Sequence, residues 1–252
     1  MKAIVTAIFA AMLVASCFLQ SNEAAPQQVN VAVAANFTPA AKDIAAAFEA
    51  ETGQKAILSF GSTGKLYAQI AHGAPFGVFL AADARHPEMA ERAGLAVAGT
   101  RFTYATGKIA LYSPDPSLVD NSGAVLSRGG FEKLAIANPK NAPYGAAAVK
   151  AMTDLGVYDA LLPKIVHGDN IAQTYQFLIT GNAQLGFVAL SQVVHDKTGS
   201  KWIVPEDIVT PIRQDAVLLT AGKNDSTALA FIAFLKSEKP REIMTRYGYG
   251  TD

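Results

Sequence analysis

Two small α/β lobes joined by two chain crossings are the fold this sequence predicts. Three observations predict it. Short apolar runs alternate with amphipathic helical segments from Val29 onward, the run KIALYS at 108–113 breaks that rhythm, and a strand near the C-terminus returns after a second α/β set has been completed.

The elements follow in order. VNVAVAA (29–35) reads as a buried strand. The helix TPAAKDIAAAFEAETG comes next, with Thr38 as its expected cap, Pro39 at the first helical position and Gly53 as its stop. Its Ala40, Ile44 and Phe48 recur every four positions, so one face packs on a sheet. KAILSF is the second strand, and residues 65–71 form a helix ended by Gly73. GVFLAAD (77–83) is a third strand, and a helix around 87–93 stops at Gly94.

After KIALYS the pattern resumes with strand KLAIA (133–137), helix 144–155, strand KIVHG, helix 171–179 and strand LGFVAL. AVLLTAG (216–222) is the returning strand, followed by the helix STALAFIAFLKSE and a short amphipathic tail. The second set therefore sits inside the first, with crossings near Gly107 and near Gln214. The lobes expected are 28–107 with 215–252, and 108–214. Such an arrangement suits a cleft that closes on a small ligand.

Composition excludes several functions. Half of the 252 residues are hydrophobic, 17% are charged, and Lys plus Arg equals Asp plus Glu. Balanced charge without a basic run argues against nucleic acid as a partner, since neutralising phosphates needs a basic face. Residues 1–25 read as an export signal: Met1-Lys2, then an apolar run at 3–15 too short to span a bilayer with ease. Cys17, the single cysteine, closes that run in LVASC, so a lipid anchor there is the alternative to its loss with the signal. Either way the exported domain has no internal disulfide.

The turn GSTGK (61–65) lies between a strand and a helix and raises the question of its chemistry. A Walker loop needs four residues between its glycines and Ser or Thr after the lysine. Gly61 and Gly64 enclose only two, and Leu66 follows Lys65. A Gly-x-Ser-x-Gly nucleophile elbow at Ser62 needs glycine where Phe60 stands. His72, His86, His167 and His195 show no metal-ligand spacing. What remains is a helix N-terminus, whose first amides lack intrahelical partners and favour an anion without a fixed countercharge. One such end is more often a plain cap. Four similar junctions change the odds: AANFTP, GSTGK, NAPYGAA and GDNIAQ, two from each lobe. Converging on one cleft, they would prefer a fully deprotonated oxyanion, because donors far outnumber acceptors.

The order and spacing of these phrases resemble the periplasmic molybdate- and tungstate-binding proteins of ABC importers, members of the type II solute-binding fold. The resemblance runs through VAVAANFTPAAKDIAAAFEAETG, SFGSTGKLYAQIAHGAPFGVFLAADARHPEMAERAGL, AIANPKNAPYGAAAVKAMTDLG, AQLGFVALSQV and IMTRYGYG. It implies a two-lobe periplasmic-binding-protein-like fold and a binding subunit rather than an enzyme. That subunit would be a periplasmic monomer without cofactor, delivering molybdate or tungstate to a membrane permease. Molybdenum would be met only as its oxyanion, with no direct metal ligand.

Carried over residue by residue, the resemblance implies that Asn36 donates from its side-chain amide and its backbone N–H, with the Ala35 amide nearby. Thr63 would donate from hydroxyl and amide, and Tyr144 and Ile171 from their amides. Some members place a tyrosine hydroxyl on the anion from the strand that here reads FVALS, where Ala189 stands. The Tyr144 hydroxyl is the expected replacement. Lys65 is read as a solvated helix residue. Sulfate or phosphate in the same fold is the alternative ligand, and a serine hydrolase comes last.

Overall fold

A computed structural model describes residues 27–251; the expected export signal and the Cys17 anchor fall outside them. In chain order the elements are β1 (Gln28–Ala34), α1 (Thr38–Thr52), β2 (Lys55–Gly61), α2 (Thr63–Ala71), β3 (Val78–Leu80), α3 (Arg85–Arg92), β4 (Phe102–Gly107), β5 (Ile109–Ser113), α4 (Val125–Arg128) and β6 (Leu134–Ala137). They continue with α5 (Pro143–Asp154), α6 (Tyr158–Leu161), β7 (Ile165–Gly168), α7 (Ile171–Ile179), β8 (Leu185–Ala189), α8 (Leu190–Val193), β9 (Ser200–Ile203), β10 (Ile212–Leu218), α9 (Ser226–Leu235) and α10 (Glu238–Arg246).

These form two five-stranded sheets, β2-β1-β3-β10-β4 and β7-β6-β8-β5-β9. Each has a parallel core, β2-β1-β3 and β7-β6-β8, extended by antiparallel pairing on one side. The two-lobe α/β expectation therefore holds. In each sheet the first strand of the parallel trio lies in the middle, and the chain leaves it first to one side and then to the other. That reversal opens a crevice beyond the carboxyl ends of the strands, the usual ligand position in open α/β sheets.

β1 explains why its sequence is almost continuously apolar. Val31 and Val33 join Phe37, Ile44, Phe48 and Phe231 on one face of the first sheet, while Ala32 joins Leu66, Ile70 and Phe79 on the other. A strand covered on both faces needs apolar residues at both parities. The second sheet is covered likewise, with Leu111, Leu134 and Phe187 on one face and Ala110, Ala135 and Leu178 on the other. Ala34, Ala35 and Ala82 of the first lobe share a buried cluster with Tyr144 and Ile171 of the second, so the lobes are closed on each other.

Several local expectations are corrected. Thr38 is not a cap: it is already helical, the cap position is Phe37, and its hydroxyl donates to Ala35 O at 2.8 Å across the 3₁₀ turn Ala35–Phe37. The third strand is regular only over Val78–Leu80; beyond it the Ala81 amide still donates to Asp215 O of β10 at 3.0 Å, while the Ala82 amide turns to Thr63 Oγ1 in the cleft. The returning strand begins at Ile212, earlier than expected, and Thr220–Gly222 is a 3₁₀ turn. Arg213, Gln214 and Asp215 hide that start, since their polar side chains suggest a loop, yet Gln214 and Asp215 are wholly buried. β4 and β9 were not expected. Glycine does stop α1 as anticipated, with Gly53 left-handed at φ 69°.

Candidate functional site

A small cavity, about 10 Å³, lies where the strand ends of the two sheets face each other. Pockets for drug-sized molecules occupy ~300–1,000 Å³, so this one is sized for a single compact group. From the first lobe it is lined by Ala34, Ala35 and Asn36 after β1, Gly61, Ser62 and Thr63 after β2, and Ala82 after β3. From the second it is lined by Ala142, Pro143 and Tyr144 at the start of α5, and by Asn170 and Ile171 at the start of α7. The structure thus brings Ala35, Asn36, Thr63, Tyr144 and Ile171 to one cavity. Ala189 is buried but does not line it.

Each helix start leaves one cavity-lining amide free, for a different reason. At α2 the Gly64 amide donates to Asn141 O (2.9 Å) across the cleft and the Leu66 amide to Ser62 O (3.0 Å), leaving that of Thr63. At α5 Pro143 has no N–H and the Gly145 amide donates to Ala142 O (2.9 Å), leaving Tyr144. At α7 the Asn170 carboxamide oxygen accepts from Ala172 (2.9 Å) and Gln173 (3.0 Å), leaving Ile171. Ala35 and Asn36 open the 3₁₀ turn, ahead of any acceptor within it.

Three hydroxyls add to these amides. Thr63 Oγ1 accepts from the Ala82 amide at 3.0 Å, which keeps its own proton available. Tyr144 Oη accepts from Gln214 Nε2 at 3.4 Å, and its proton has no acceptor among the described residues. Ser62 Oγ is buried without any partner. From the sequence Ser62 reads only as a cap or a nucleophile; what separates it from Thr63 is a buried hydroxyl without a partner, which no local signal announces.

The Asn36 side chain points elsewhere. Its Nδ2 donates to Gln214 Oε1 (2.8 Å) and to Tyr249 Oη (3.1 Å), which occupies both amide hydrogens. In this closed arrangement only the backbone N–H of Asn36 is left for a ligand. Gln214 Oε1 also accepts from Tyr104 Oη at 3.2 Å, and Asn36 O accepts from Tyr249 Oη (2.8 Å) and Ser191 Oγ (2.9 Å). This buried network ties the first lobe to α8 of the second at the crossing. A Cβ at Gly107 would stand 2.0 Å from Tyr144 Oη and 2.6 Å from Gln214 Nε2, so glycine is required where the chain passes that hydroxyl.

The electrostatics are those of neutral donors. No charged side chain lines the cavity. Burial pushes the phenols of Tyr144, Tyr104 and Tyr249 upward, so all three keep their protons near neutral pH. Among the described residues no cluster of His, Cys, Asp or Glu could hold a metal ion. A cavity of free amides and hydroxyls at helix starts can hold a small anion by hydrogen bonds, and the helix dipoles favour its negative charge.

Comparison with known proteins agrees with this chemistry. Residues 29–250 match the family described as "Bacterial extracellular solute-binding protein". The chain is 56% identical over 226 residues to the molybdate-binding protein ModA of Azotobacter vinelandii, covering 88% of this chain and 90% of that one. It is 52% identical over 229 residues to ModA of Rhodobacter capsulatus, covering 91% and 90%. Among solved structures it resembles the periplasmic molybdate-binding protein of Azotobacter vinelandii, with a TM-score of 0.86, 38% identity, and coverage of 89% of this chain and 99% of that one.

Proposed function

The chain belongs to the family of bacterial extracellular solute-binding proteins, and from that premise we propose that it captures molybdate, and tungstate with it, between its lobes. It delivers the anion to the membrane permease of an ABC importer. It is a binding protein and not an enzyme, and the oxyanion is its cargo rather than a cofactor. The observation that carries the reading is the convergence of the free amides of Ala35, Asn36, Thr63, Tyr144 and Ile171 on one cavity without a charged side chain.

Such a site accepts a fully deprotonated anion and rejects one that must donate a proton, because it offers donors and no free carboxylate. Sulfate meets the same hydrogen-bonding rule, so size separates the two. Donors spaced for the larger molybdate reach a smaller anion poorly, and each unmet buried donor costs about 1–3 kcal/mol. Arginine, which would clamp an organic acid, is missing from the lining.

The rest of the assignment follows the family. The protein acts in the periplasm as a monomer, exported by residues 1–25, with a lipid on Cys17 as the alternative mode of retention. The lobes comprise 28–107 with 215–252, and 108–214, with β10 straddling the second boundary.

Thermal unfolding with molybdate, tungstate, sulfate and phosphate in turn tests the reading. A ligand at a thousand times its Kd stabilises by about 4 kcal/mol, a readily measured rise in Tm. Molybdate and tungstate are expected to raise Tm and phosphate to leave it unchanged. A rise with sulfate or phosphate alone would replace the ligand and keep the fold.

A further inference from the structure

We propose that Ser62 is an additional oxyanion donor, freed for that task by the Asn141 carbonyl when the lobes close; this rests on the anion-binding reading above. Ser62 holds the cap position of α2 in an extended conformation, φ −72° and ψ 145°. From there a serine hydroxyl ordinarily accepts from the amide two or three residues on. It makes no such bond here. The amide two residues on, that of Gly64, donates instead to Asn141 O at 2.9 Å, and Asn141 belongs to the other lobe.

The consequence is a hydroxyl left without a partner although Ser62 is only 3% exposed and lines the cavity. Buried hydroxyls are rarely left so, and an unmet one is costly. No protein acceptor relieves it, but an anion oxygen in the cavity does. When the cleft opens, Asn141 withdraws, the Gly64 amide is released, and Ser62 can take up the cap. Closure thus exchanges a helix cap for a ligand contact. Gly64 is suited to the exchange: a Cβ there would lie 3.2 Å from both the Asn141 Cα and its carbonyl oxygen, and glycine leaves room for that approach.

The test is calorimetric titration of molybdate into wild type, Ser62→Ala and Ser62→Gly, with the Tm of each ligand-free protein. Glycine retains most of a cap's stability and alanine does not. If the hydroxyl contacts the anion, both variants raise Kd by about ten- to a hundredfold, whatever their Tm. If Ser62 is only a cap, Ser62→Ala lowers the ligand-free Tm while both variants bind as tightly as wild type or tighter, and the proposal is overturned. Absence of oxyanion binding by the wild type would instead overturn the parent reading.

Discussion

Lys65 Nζ lies 2.9 Å from Asp169 Oδ2, an ion pair between the first turn of α2 in one lobe and the loop before α7 in the other. Asp169 adjoins the cavity-lining Asn170, Lys65 stands two residues past the cavity-lining Thr63, and both are largely exposed. Lys65 was expected to be a solvated helix residue. It is solvated, but it also bridges the mouth of the cleft, beside the Gly64–Asn141 bond.

An exposed pair of this kind contributes about 0.2–1 kcal/mol. Lys65→Glu or Asp169→Lys should therefore speed molybdate release by roughly 1.5- to 5-fold, and the double charge swap should restore it. Stopped-flow displacement by excess tungstate measures the rate. High salt should bring wild type towards the single variants, because exposed charges are screened; a release rate insensitive to salt and to both substitutions would mean that the bridge has no part in holding the cleft shut.

Tyr144→Phe separates two uses of one hydroxyl. If the free proton of Tyr144 Oη meets the anion, the variant loses about 1.5–3 kcal/mol of molybdate binding, the worth of a hydrogen bond to a charged group. If it does not, the cost falls on the ligand-free protein, where Gln214 Nε2 loses its contact at 3.4 Å. Titration and melting of the same variant distinguish the two, and unchanged affinity would remove the argument that this hydroxyl compensates for Ala189.

Thr63→Ala should cost both affinity and stability. Read from sequence, the change removes a hydroxyl and spares the fold. In the structure that hydroxyl accepts from the buried Ala82 amide at 3.0 Å, so alanine leaves an amide unmet and destabilises by about 1–3 kcal/mol. Thr63→Ser should recover both quantities. A Tm equal to wild type in Thr63→Ala would argue that the Ala82 amide finds another acceptor.

What was legible in the sequence was local chemistry. Pro39 at a helix start and Gly53 as a stop act within a few residues, and the four phrases AANFTP, GSTGK, NAPYGAA and GDNIAQ mark the junctions that line the cavity. What stayed hidden depends on partners far along the chain. Gln214 meets Asn36 178 positions away, so nothing near Gln214 announces a buried strand instead of a loop. The same distance hides the partners of Asn36, whose carboxamide donates to Gln214 and Tyr249. β4 is illegible for a like reason, because FTYATG has no strongly apolar face and is recruited by β10.

The position of β10 also sets an order of assembly. All five strands of the second sheet lie between Ile109 and Ile203, so that sheet can be completed from a contiguous stretch of chain. The first sheet cannot. Its β4 pairs with β10 and is bridged at Thr106 by Gly250, and both partners arrive with the C-terminal end. A chain cut before Ile212 would keep one sheet whole and leave the other as three strands with β4 detached. The lobe that begins the sequence is thus the last to be finished, and the cleft, which needs both, forms only once the final residues are in place.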